Sequence, residues 1–76
     1  MKACDYLVTV KQGDAVLKQS RLPEQLAFEL LYEAIDAVYV DSSSADIVRL
    51  SIVAKLKSGN AQALEYKGRT MVFQVA

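Results

Sequence analysis

Seventy-six residues, with nine Lys/Arg balancing nine Asp/Glu and an apolar share of 53%, make a single domain over 1–76 near the lower size limit for an unassisted core. A chain this short buries only about 60% of the surface its unfolded form exposes, so disulfides, metals or oligomerisation commonly supplement its core. The neutral balance argues against a polyanion as the main partner, the apolar content argues against disorder, and one cysteine without histidine excludes an internal disulfide and a structural zinc site.

Oligomerisation is the supplement that remains. The opening stretch MKACDYLVTV has Lys2 and then Asp5 with no long apolar core, which fits neither a signal peptide nor a membrane span. A small soluble protein in a reducing, cytoplasmic setting is expected. Tyr6, Val8 and Val10 then alternate with Leu7, Thr9 and Lys11, the period of a strand rich in β-branched residues. Gln12-Gly13-Asp14 supplies turn chemistry, and Ala15–Ser20 reads as the second strand of a hairpin.

Pro23 stands where it can open a helix, because its missing N–H would be unpaired there, and Glu24 suits the positive end of the helix dipole. The helix is predicted to run to about Val40 and to give way at the polar loop Asp41-Ser42-Ser43-Ser44. In the next segment, DIVRLSIVAKLK, Ser44 could cap a helix and Gly59 could end it. Asp46, Arg49, Ser51, Lys55 and Lys57 would then scatter around the wheel. A strand instead sets Val48, Leu50, Ile52, Ala54 and Leu56 on one face and leaves only Val53 out of place. The alternation predicts a strand here. Ser58-Gly59-Asn60 turns the chain, Gln62, Leu64 and Tyr66 continue the alternation, Lys67-Gly68-Arg69 turns it again, and Thr70–Val75 closes it as a strand.

The expected fold class is therefore α+β, a two-layer β-β-α-β-β-β domain with one helix packed on a mainly antiparallel five-stranded sheet. Strand order 2-1-3-4-5 would leave the last strand at an edge.

Catalysis has little to work with. Without histidine there is no Ser-His or Cys-His pair and no ordinary general base near neutral pH. Gly13, Gly59 and Gly68 are isolated turn residues, and Cys4 reads as a small residue at a strand start. Glu29, Glu33 and Asp36 line one side of the helix with Tyr32 beside them, and mutually repelling carboxylates of this kind can serve as general acids. A solvated acidic face is the simpler account. No catalytic residue, cofactor or metal ligand is assigned, and a small enzyme or ligand-binding domain stands as a second alternative.

The first alternative is a nucleic-acid-binding domain. The helix has no basic residue, whereas Lys2, Lys11, Lys18, Arg49, Lys55, Lys57, Lys67 and Arg69 all fall in expected strands or their turns, which could make one sheet face basic. Alternation, however, turns Tyr66 and Phe73 inward, away from the place where base-stacking rings would be needed.

Two surfaces look unfinished. Apolar positions cover roughly 240° of the helix wheel, where about 100° suffices to face a core. Ala27 and Ala34 suit close approach to the sheet, and Phe28, Tyr32, Ile35 and Tyr39 form a bulky flank beside the acidic ridge. The last strand, TMVFQVA, has no charge and no proline to blunt it as an edge, so Met71, Val72 and Phe73 invite strand addition. These features point to a non-enzymatic protein that acts by protein–protein interaction, an adaptor, regulator or inhibitor such as mobile elements often encode. It is expected to form a homodimer or to bind another protein. Its partner-binding residues are Phe28, Glu29, Tyr32, Glu33, Ile35, Asp36, Tyr39, Met71, Val72 and Phe73, with the carboxylates steering a basic partner.

Overall fold

A computed structural model describes residues 5–39 and 42–76. Lys2 and Cys4, like Val40 and Asp41 at the end of the expected helix, lie outside the described residues. The chain is α+β, as its patterning predicts, but the described residues form four strands and two helices: β1 (Asp5–Gln12), β2 (Ala15–Pro23), α1 (Glu24–Val38), α2 (Ser42–Lys57), β3 (Gln62–Tyr66) and β4 (Arg69–Val75). The sheet is antiparallel throughout, in the order β2-β1-β4-β3. A hairpin on each side brackets a pair of helices, which carry the chain from β2 at one edge to β3 at the other.

Period-two alternation explains the strands. Register places Tyr6 opposite Leu22 and Val75, Val8 opposite Phe73, and Val10 opposite Met71, which in turn faces Leu64. This apolar row meets the helices. Its centre is dry, with Tyr6, Val8, Met71 and Phe73 buried among Ala27, Leu31, Ala34 and Ile35 of α1 and Ala45, Ile52 and Leu56 of α2. The opposite face carries Leu7, Thr9 and Val72 among polar neighbours, and Gln19 Nε2 donates a hydrogen bond to Thr9 Oγ1 at 3.1 Å.

The strand expected over 46–57 is a helix. Ala45, Ile52 and Leu56 are buried, and Val48 and Val53 pack against them. Their spacing is that of one helical face. Leu50, which strand alternation assigns to the same side as Ile52, is instead 75% exposed. The helix ends as Gly59 allows. At φ +94° this residue occupies the left-handed region, Gly59 N–H donates to Leu56 O, and Asn60 N–H donates to Lys55 O at 3.0 Å. That is a Schellman C-cap. Lys55 and Lys57 in the last turn complement the helix dipole.

Removing one strand changes the order of the rest. β4, expected at an edge, pairs with β1 on one side and β3 on the other. The real edges are blunted. β2 carries Lys18 and Arg21, and its register shifts at Leu17 in a bulge, while β3 spans only 5 residues.

Candidate interaction surface

α1 begins directly after Pro23 and lays Ala27, Leu31, Ala34 and Ile35 on the sheet, all fully buried. The two alanines permit close approach. The aromatic flank expected beside them is partly covered, by β1 at Phe28 and by α2 at Tyr32. Ile35 is 0% exposed, and the Phe28 ring lies 5.1 Å from Tyr6 and 6.1 Å from Tyr32. The Arg49 guanidinium of α2 sits 5.0 Å above the Tyr32 ring. Tyr39, beyond the end of α1, is exposed.

The acidic ridge is divided among separate partners. Asp36 Oδ1 accepts from Arg49 Nη2, and the same guanidinium lies 3.8 Å from Asp46. Glu33 Oε1 accepts a hydrogen bond from the Tyr66 hydroxyl at 3.3 Å. Glu29 stays exposed beside a shallow depression that it lines with Leu22, Leu26, Leu30 and Glu33. In β4, Met71 and Phe73 are buried and Val72 is half-buried on the opposite sheet face. The ten residues singled out from the sequence are thus not brought together on one surface.

Nor do the basic residues assemble on one sheet face. Arg49, Lys55 and Lys57 lie on α2, and Arg21 on β2 pairs with Asp5 at 3.0 Å. Arg49 is held between two carboxylates and an aromatic ring, so its charge is already matched.

What the helices leave open is elsewhere. Ile47 is 69% exposed and Leu50 75%, the two highest values among the large apolar side chains described. At about 100° per residue they share the outward side of α2 with Ala54, opposite Ala45, Ile52 and Leu56. Beside Leu50 a cleft of about 440 Å³ opens between the helices, lined by Tyr32, Asp46, Arg49, Leu50 and Val53. The sequence holds the signal for this face, because the wheel of 42–57 separates Ile47 and Leu50 from the core residues. It is visible only once the segment is taken as a helix.

Among the described residues no helix is long and apolar enough to cross a membrane. No family model matches the chain, and neither a curated protein nor a solved structure matches it significantly.

Proposed function

We propose that the protein acts by protein–protein contact, as an adaptor, regulator or inhibitor in a cytoplasmic setting, through the outward face of α2. One observation carries this reading: Ile47 and Leu50, the most exposed large apolar side chains described, stand on a single helix face. Moving a leucine or isoleucine fully from water into a contact is favourable by about 1.5–3 kcal/mol. Two such residues side by side on a small domain form a natural centre for an interface. Polar side chains around them, Asp46, Ser51 and Lys57, resemble the rim that surrounds such centres.

Strand addition is a weaker route here, because one edge is bulged and carries two basic residues and the other is short. The reading is tested by placing a photoreactive side chain at position 47 or 50 in the native host, with position 65 on the opposite sheet face as control. Adducts with a polypeptide from 47 and 50 but not from 65 are expected. A chain that forms no adduct from either helix position would overturn it.

A further inference from the structure

The outward face of α2 carries a charge pattern that constrains what can lie on it. Arg49 is turned toward α1 and tied to Asp36. The other charges divide along the axis, with Asp46 in the N-terminal half, 3.8 Å from the Arg49 guanidinium yet with its side chain 73% exposed, and Lys55 and Lys57 in the C-terminal half. Asp46 and Lys57 are about three turns apart, and at 100° per residue they lie within roughly 20° of each other around the helix. Both therefore border the apolar stripe on the same flank. Lys55 borders it on the other.

Two helices packed antiparallel about a two-fold axis bring like flanks together with opposite ends aligned. Parallel packing would bring opposite flanks together. In the antiparallel case the flank of Asp46 meets the flank of Lys57, acid against base at both ends of the contact. With the two-fold axis between Leu50 and Ser51, Ile47 falls opposite Ala54 and Leu50 opposite Ser51, large against small, as close helix packing requires, and Asp46 comes within about 3 Å of level with Lys57 along the axis. It also opposes the two helix dipoles. The face is complementary to itself.

We infer that the occupant of this face is a second copy of the chain, its α2 docked antiparallel on the first, with Asp46 of each copy opposite Lys57 of the other. The inference rests on the contact function proposed above and names the partner at that site. It also supplies the oligomerisation that a chain of this size commonly uses to supplement its core.

The experiment is sedimentation equilibrium of the full chain across the micromolar range, with far-UV circular dichroism to verify that each surface variant is folded. A dimer is expected. Asp46→Lys or Lys57→Glu alone should weaken it about tenfold, since each reversal opposes like charges twice per dimer. Both reversals in one chain should restore it. Mixing the two single variants should give heterodimers in preference to either homodimer. Lys55→Glu, on the other flank, should change the dissociation constant by less than about twofold.

A natural chain that stays monomeric throughout would overturn the inference, and so would a dimer indifferent to both reversals or not restored by their combination. If the monomer nevertheless forms photo-adducts with a different protein from positions 47 and 50, the second copy is removed and the contact function stands. If no adduct of any kind forms, both fall.

Discussion

α1 and α2 differ in how far they leave apolar residues in water: Leu26, Leu30 and Val38 of α1 are 36–48% exposed, Ile47 and Leu50 of α2 69% and 75%. α1 has the broader greasy arc, yet its aromatic flank is largely taken up by Tyr6, α2 and the Arg49 guanidinium. α2 has the more mixed composition, yet it leaves Ile47 and Leu50 in water. The width of an apolar arc therefore does not mark a binding surface. What matters is which elements the fold sets over the arc, and over α1 these are the sheet and, at Tyr32, α2.

The strongest way to break this comparison is to remove bulk from the covered flank. Ile35 is 0% exposed and belongs to the core, so Ile35→Ala should cost about 2–5 kcal/mol of unfolding free energy. Against the about 5–15 kcal/mol that holds natural domains together, that is a large share, and it should lower the urea midpoint markedly. A loss below about 1 kcal/mol by chemical denaturation would mean that this side of α1 is not packed into the core.

The next effect concerns how α2 is held in place. Gly59 sits at φ +94° in the C-cap, a region that costs a residue with a Cβ about 1–2 kcal/mol. Open space surrounds the position, so Gly59→Ala should destabilise by that amount through backbone strain alone. Lower protection of the Asn60 amide in hydrogen exchange would locate the loss at this cap.

A smaller effect tests the clasp between the helices. Arg49 joins Asp36 across the two elements with side chains 34% and 53% exposed, so solvent screening limits the pair. A double-mutant cycle with Arg49→Met and Asp36→Asn should return a coupling of about 0.5–1 kcal/mol, falling as salt rises. A coupling near zero would show that Arg49 contributes through Tyr32 and Asp46 and not through Asp36.

The same contrast explains what was legible in the sequence. The strands around 6–11, 15–20, 62–66 and 70–75 were legible because each has one face on the core and one away from it, so alternation reports it directly. α1 was legible through its long run and Pro23. α2 was not, and two residues are responsible. Leu50 is apolar and exposed, and Arg49 is charged yet turned inward by Asp36 and Tyr32. Together they invert the contrast on which helical periodicity depends, and the remaining pattern imitates a strand. Everything downstream depends on this segment: as a strand it moves β4 to an edge and leaves the aromatic flank without a helix beside it. The contact residues expected on the flank and in β4 follow from those two placements, and the same strand pattern hides the shared face of Ile47 and Leu50.

The smallest expected effect separates the two faces of α2 from each other. Leu56 is 0% exposed and Leu50 is 75% exposed on the same helix. Leu50→Ser should change the stability of the dissociated monomer by no more than about 0.5 kcal/mol, because three quarters of the residue stays in water within one copy. The difference should grow with protein concentration. A second copy that binds only the folded chain raises the thermal midpoint by mass action, so the natural chain should melt higher as its concentration rises. Leu50→Ser should melt at one temperature throughout. If both chains shift equally, the dimer forms on another surface, and the exposed face of α2 is open to a different protein. If the variant is markedly less stable even when dilute, Leu50 belongs to the core of its own copy, and the contrast between α1 and α2 disappears with it.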